Sequence, residues 1–344
     1  MRWNDMYIAS TGVCLPGRDS TALAVADGRY DAEEQEKSGY RSVCVAADES
    51  AAEMAVQAAR SAMQRSGSDG EDISLLLHAS FHHQGIDHWT PAYYIQNEAV
   101  GGRAPAIELR QASNGGLAGL VLAMSYLATC EGRAALVTTA DKFGPPTYDR
   151  YRTEKWLILA DGASAAVVSR GAGFARVLST AMDSDSTLEE LYRGKFTEAN
   201  SLTDLPLDLR ARKDVYMERV GIAEVAMRGN AGLVNVVKTA LGDAELEIGD
   251  ISRFVFPNIG RSLLQWDYLD AFGLEESQTT WDWGMDVGHI GAGDQFGGLN
   301  HLVETGALSA GDKVMLAGSG IGFSWNCAVL EIQELPEWTT SANG

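Results

Sequence analysis

Cysteine is scarce: the chain of 344 residues holds four, Cys14, Cys44, Cys130 and Cys327, far apart and without CxxC spacing. This excludes a disulfide framework, and a chain of this length has no need of covalent staples. A reduced cytoplasm is the expected setting. Positive charge is short as well, with 27 Lys and Arg against 47 Asp and Glu and a formal net charge of -20. A field of that sign repels nucleic acid and anionic membranes, so neither is an expected partner. An acidic partner would have to meet a local basic patch, for which Arg210, Arg253 and Arg261 are the candidates beside the plain reading of a solvated face. No run reaches the roughly 20 apolar residues of a membrane span, and no basic region followed by an apolar run marks a leader. Histidine is sparse, six in all. His78, His82, His83 and His88 have no zinc spacing and no accompanying thiol, so hydrogen-bonded or pocket-lining histidines are expected and metal is not.

What is present is an alternation of strand and helix signals, the pattern of an α/β protein. Met6 to Val13 reads as a strand, Ser50 to Met63 as an amphipathic helix, Ile73 to His78 as a buried strand, and Ala134 to Thr139 as another. Residues 141 to 156 have no clear period and read as a long loop; Thr180 to Tyr216 reads as an irregular, acidic insertion. The second half then repeats the first at an offset of roughly 180 residues, the size of a domain. The helix Val225 to Leu241 answers the helix from 50 to 63, and Phe254 to Phe256 answers Leu75 to Leu77. Gly297-Gly298-Leu299 answers Gly115-Gly116-Leu117, and Val314 to Ala317 answers Leu136 to Thr139. Two similar halves, 1–175 and 176–344, would bring the two Gly-Gly-Leu helices together near a pseudo-twofold axis.

Ser113 opens the first of those helices, in the stretch Arg110-Gln111-Ala112-Ser113-Asn114-Gly115-Gly116-Leu117. Helix starts expose unpaired N–H groups and a positive dipole end, which favour a developing negative charge; an N-cap serine uses the same position structurally. A serine nucleophile needs a base, and the base needs an orienter. Gly288-His289-Ile290-Gly291-Ala292-Gly293-Asp294 precedes the second-half helix, where the repeat sets it opposite Ser113. Its glycines let Asp294 fold back onto His289, although the same stretch also suits a structural turn with a capping aspartate. Gly318-Ser319-Gly320-Ile321-Gly322 breaks a strand into a glycine turn whose N–H groups, with that of Ser113, suit an oxyanion hole. It lacks the lysine and following helix of a phosphate-binding loop. Asn258, after Pro257, is placed to donate to a carbonyl or to cap a turn. The segment His78 to Tyr94, with His82, His83, His88 and Tyr94, and Phe143 beyond it offer lining for an acyl pocket.

These segments, Ser38 to Met63, the helix at Ser113, the Ala160 to Val168 turn and above all Gly311 to Leu330 with Gly318, Gly320, Gly322 and Trp325, resemble in order the β-ketoacyl-acyl carrier protein synthase III family of the thiolase superfamily. The resemblance covers nearly the whole chain. It implies a duplicated five-layer αβαβα thiolase-like fold with two pseudo-symmetric halves, and a homodimer. Ser113 stands where that family has its nucleophilic cysteine, Asn258 where it has its first active-site histidine, and His289 where it has its asparagine. The altered pair puts decarboxylative condensation in doubt. Ser113, His289 and Asp294 together resemble a divergent branch of antibiotic pathways that moves acyl groups from a carrier protein to a hydroxyl or amine, or selects polyketide starter units.

The expectation is therefore an acyltransferase working through acyl-Ser113 on a small-molecule acceptor such as a sugar, aminocyclitol or polyketide. No cofactor is expected to reside in the protein. Glu33 and Lys37 stand near positions where the family holds the adenine end of coenzyme A with tryptophan and arginine. The phosphopantetheine thioester of an acyl carrier protein is then the better donor. Two alternatives remain: a starter-unit ketosynthase condensing an acyl group with malonyl carrier protein, and a non-catalytic partner that binds carrier protein.

Overall fold

The computed structural model describes residues 1–194 and 205–339. Its strands are β1 (Met6–Cys14), β2 (Arg18–Ser20), β3 (Ser42–Cys44), β4 (Ile73–Ala79), β5 (Ala106–Leu109), β6 (Ala134–Asp141), β7 (Gly162–Arg170), β8 (Ala175–Ser184), β9 (Arg253–Val255), β10 (Lys313–Gly320) and β11 (Ser324–Ile332). A nine-stranded sheet runs β5-β4-β6-β7-β1-β8-β11-β10-β9, while β2 and β3 pair separately. Its centre is the β1–β8 contact, made by only Tyr7 with Arg176 and Ile8 with Ala175. Outward from it the order mirrors itself. On one side β1, β7 and β6 are antiparallel neighbours and β6 is parallel to β4. On the other, β8, β11 and β10 are antiparallel and β10 is parallel to β9. Strand β5 extends the first side alone.

Helices fill three layers around these half-sheets. Gly115–Thr129 packs on β4 and β6 and also on β10 and β11; Asp294–Glu304 packs on β1 and β7 and also on β9 and β10. These two form the middle layer, and their burial on several sides explains why Gly115–Thr129 is apolar almost all round. Ala51–Ser66 covers β1, β6 and β7 from outside, and Ile222–Ala244 covers β8, β10 and β11. The result is the αβαβα stack of a thiolase-like α/β fold.

Local sequence explains the outer helix well. Ser50 and Glu53 close a reciprocal capping box at its start, and Gly67 ends it at φ 68°. Its inward face is mostly alanine and methionine, which lets β1 approach closely. A Cβ at Gly12 would fall 2.3 Å from the carbonyl oxygen of Ala58.

The irregular reading of Thr180 to Tyr216 is corrected at both ends. Strand β8 continues to Ser184, because Ala181 faces the core and β11 pairs with it throughout. Leu209–Val220 is a helix, capped by the Asp208 side chain on the Ala211 amide. Its charged residues hid the apolar anchors Leu209 and Tyr216. Residues 195–204 of that reading lie outside the described residues.

Candidate active site

Ala112–Asn114 forms one tight 3-10 turn between β5 and the middle helix, so Ser113 immediately precedes the helix proper. Ala112 is held at φ 47°, a left-handed conformation unusual for a residue with a Cβ. Such strain persists only where the surroundings over-determine it. Here the surroundings are glycines: a Cβ at Gly116 would sit 2.6 Å from the Ala292 carbonyl oxygen, and one at Gly320 would sit 2.6 Å from that of Gln111. The nucleophile turn is thus clamped between the His289 loop and the end of β10.

The Ser113 hydroxyl does not cap its helix. Its Oγ lies 2.7 Å from Nε2 of His289, and Nδ1 of His289 lies 2.5 Å from Oδ2 of Asp294. An ionised carboxylate only accepts, so Nδ1 carries the proton and Nε2 presents its lone pair to the serine O–H. Asp294 is fully buried at the first turn of its helix and accepts two backbone N–H bonds as well, from Ile290 (2.9 Å) and Asn258 (2.7 Å). The imidazole is fixed from its backbone too. The His289 amide donates to Ile158 O (3.0 Å) and its carbonyl accepts from Ala160 (2.8 Å). Asp141 receives the Phe81 and His82 amides at 2.8 Å and the Ala292 amide at 3.3 Å, tying the histidine loop to the segment after β4. Burial pushes the Asp141 carboxyl up to about 7.

Asn258 is brought beside this set but not into its cavity. It is buried, and its side-chain amide donates to Gly288 O at 2.9 Å, so it braces the histidine loop. Its expected role on the acyl group is corrected accordingly. Gly320 presses on the nucleophile turn; Ile321 lines the cavity at Ser113, whereas Gly322 lines a neighbouring one of about 370 Å³ with Arg110, Gln111 and Ser186.

The cavity at Ser113 and His289 measures about 100 Å³. Its walls are mainly Phe81, Leu157, Leu159, Leu209, Ile259 and Phe323, with Glu154, Tyr192 and Ser319 as further polar members. Phe81 is the member of the segment His78 to Tyr94 that lines it; His82, His83, His88, Tyr94 and Phe143 are not among its described lining residues. Phe143 is fully buried in an aromatic cluster with Phe81, His82 and Tyr148 and borders a separate cavity of about 750 Å³. His83 and His88 are exposed, and Tyr94 packs on Trp89 at the surface of the first half. Glu154 and Tyr192 gave no sequence signal, because each lies in a stretch without periodicity and reaches the site only through tertiary folding.

The basic patch is likewise rearranged. Arg210 is an internal strut, bidentate on Glu34 (2.6 and 2.8 Å) and donating to the Tyr151 and Glu154 carbonyls. Arg261 is paired with Glu276, and Arg253 donates to Ser277 O. Glu33 and Lys37 form an exposed ion pair with each other. His78 is buried between Thr138 and Gln84, which keeps it neutral and pushes its pKa down to about 4. Among the described residues no cluster of His, Cys, Asp and Glu is placed to hold a metal ion.

Comparison with known proteins decides the family. The sequence pattern of 3-oxoacyl-[acyl-carrier-protein] synthase III matches residues 107–186, and that of its C-terminal part matches residues 241–332. A solved structure of ChlB3, described as an acyltransferase, superposes with a TM-score of 0.93 at 36% identity, covering 98% of this chain and all of that one. The chain belongs to the β-ketoacyl-acyl carrier protein synthase III family.

Proteins described as synthase III also match at lower identity. The synthase III of Desulfotalea psychrophila is 24% identical, with 80% of this chain and 83% of that protein covered. That of Thermosynechococcus vestitus is 23% identical over 97% and 98%. The synthase III structure from Pseudomonas aeruginosa shares the fold at a TM-score of 0.79 and 20% identity, covering 96% of this chain and 99% of that one. No helix among the described residues is long and apolar enough to cross a membrane.

Proposed function

We propose that the protein is an acyltransferase of secondary metabolism that carries an acyl or aryl group as an ester on Ser113. The observation that carries this reading is the continuous contact from Ser113 Oγ through the His289 ring to Asp294 at the wall of a cavity. His289 Nε2 takes the hydroxyl proton as Oγ attacks a thioester carbonyl. The Ser113 amide and that of Ile321, which lines the same cavity in the Gly320–Gly322 turn, are assigned to the developing oxyanion, a reading supported by the close seating of Gly320 on the nucleophile turn. As the C–S bond breaks, the proton passes from His289 to the leaving phosphopantetheine thiolate. An acceptor hydroxyl or amine then gives its proton to Nε2, attacks the ester carbonyl, and releases Ser113 with that proton.

Acyl transfer is preferred over condensation on one structural ground. Decarboxylation of a malonyl unit leaves an enolate that the family's histidine and asparagine stabilise together. Here Asn258, at the histidine's place, has its amide engaged with Gly288 O, and His289, at the asparagine's place, is engaged with Ser113. The donor is a carrier-protein thioester, and the working unit a homodimer.

Intact-mass analysis after exposure to a panel of acyl thioesters tests the reading. The expected result is an adduct on Ser113 that is absent in Ser113→Ala and strongly reduced in His289→Ala. Release of carbon dioxide from malonyl carrier protein coupled to a β-ketoacyl product would replace acyl transfer by condensation. Binding of carrier protein with no adduct from any donor would replace it by a non-catalytic role.

A further inference from the structure

The cavity at Ser113 has one feature that acyl transfer does not require. Among its described lining residues Glu154 is the carboxylate, set in a wall otherwise made mostly of leucine, isoleucine, proline and phenylalanine. It is 5% exposed. A buried carboxylate is costly unless its lone pairs are satisfied, and this one is only partly supplied. Oε1 accepts from the Lys213 ammonium and from the Lys155 amide at 2.7 Å. The ammonium of Lys213 also lies 5.5 Å over the Tyr192 ring, and the Tyr192 hydroxyl, on the cavity side, is a further donor to the same carboxylate. A carboxylate offers about four lone-pair positions, so beside these three donors Glu154 retains room for about one more. Lys213 belongs to Leu209–Val220, whose first residue closes the cavity, and it compensates the charge from outside.

Size restricts what can use that capacity. An apolar cavity of about 150 Å³ takes a benzene molecule, so the about 100 Å³ here suits a short acyl chain. A chain esterified to Ser113 has to occupy the same small volume that Glu154 borders. A wholly apolar chain would exclude water and leave the remaining carboxylate lone pair without a donor, which disfavours it.

We propose that Glu154 determines acyl specificity by accepting a hydrogen bond from an O–H or N–H donor carried on the acyl chain a few atoms beyond the thioester carbonyl. This rests on the acyl-Ser113 reading. A buried charge-assisted hydrogen bond discriminates by about 10- to 100-fold against an isostere lacking the donor.

The test uses a matched pair of N-acetylcysteamine thioesters, 3-hydroxybutyryl and 3-methylbutyryl, which differ by a hydroxyl in place of a methyl group. Acylation of Ser113 is followed by intact mass and thiol release, and the ratio of the two kcat/KM values is read. The wild type is expected to favour the hydroxylated chain by about 10-fold or more. Glu154→Gln should bring the ratio to within about threefold, and Glu154→Asp, which withdraws the carboxylate but keeps its charge beside Lys213, should lower it in the same direction. Circular dichroism melting shows that each variant is folded. A structural role would lower both rates together and leave the ratio intact, which overturns the proposal. So does a wild type that does not distinguish the pair. Uniform loss with both chains would assign Glu154 to the amide groups of the thiol arm instead, and also overturns it. Acylation with a ratio near one sinks this inference and leaves acyl transfer standing; no acylation by any thioester sinks both.

Discussion

His289 is held in a fixed orientation between Ser113 and Asp294, and the residue that fixes its tautomer is Asp294. Replacing Asp294 by Asn favours the wrong tautomer and sets an NH2 against a backbone N–H of Asn258 or Ile290, so acylation of Ser113 should slow by about 10⁴-fold and the melting temperature should fall. A stopped-time intact-mass assay checks this. His78 illustrates a histidine of another kind, buried and bonded to Thr138 and Gln84. Burial lowers its pKa from 6.5 to about 4. Between those values the unfolded chain binds a proton that the native state refuses, so stability falls as pH drops from about 6.5 to about 4. Urea titrations across that window should show a shallower pH dependence in His78→Gln than in the wild type, measured against the variant's own stability at pH 7.

Gly116 and Gly320 matter at the level of elements because they set how closely the middle helix, the His289 loop and β10 approach one another. A methyl group at either position meets backbone rather than a movable side chain. Gly116→Ala should therefore destabilise by about 1–3 kcal/mol. Gly320→Ala, pushing directly on Gln111, should reduce Ser113 acylation more than it reduces melting temperature. The loop after β6 is fastened in another way. Arg150 and Asp161 form a buried ion pair at 2.9 Å, and Asp161 also accepts the Ala46 and Phe143 amides. Arg150→Met leaves that charge without its cation, at a cost of about 3–5 kcal/mol. Urea unfolding of the variant measures it.

For the whole molecule, the sheet ends at β5, where Ile107 is 50% exposed, and Leu122 and Tyr126 of the middle helix are exposed as well, at 45% and 37%. An unpaired edge with adjoining apolar side chains is where a second copy would add. Light scattering should give twice the chain mass, and Ile107→Lys should shift it toward the monomer. Much of this architecture was readable in the sequence because it rests on local signals. The helix after Ser50, the alternation of strand and helix, and the glycine-rich starts of the two middle helices follow from periodicity and turn chemistry acting within a few residues, although the structure aligns Gly115, as a helix start, with Asp294 rather than Gly297. They bring Ser113 and His289 toward one axis, since each lies shortly before one of the two middle helices. The direction of a polar side chain is different, because it depends on which donors and acceptors neighbouring elements bring to it. Asn258 turned to Gly288, Arg210 became a strut on Glu34, Phe143 joined a separate aromatic cluster, and Glu154 entered the cavity with Lys213 behind it. The sequence by itself determined the family, the layers and the chemistry on offer at Ser113. Only the tertiary structure decided which groups face that serine, because burial leaves each polar atom to find its partner among residues far away in the chain.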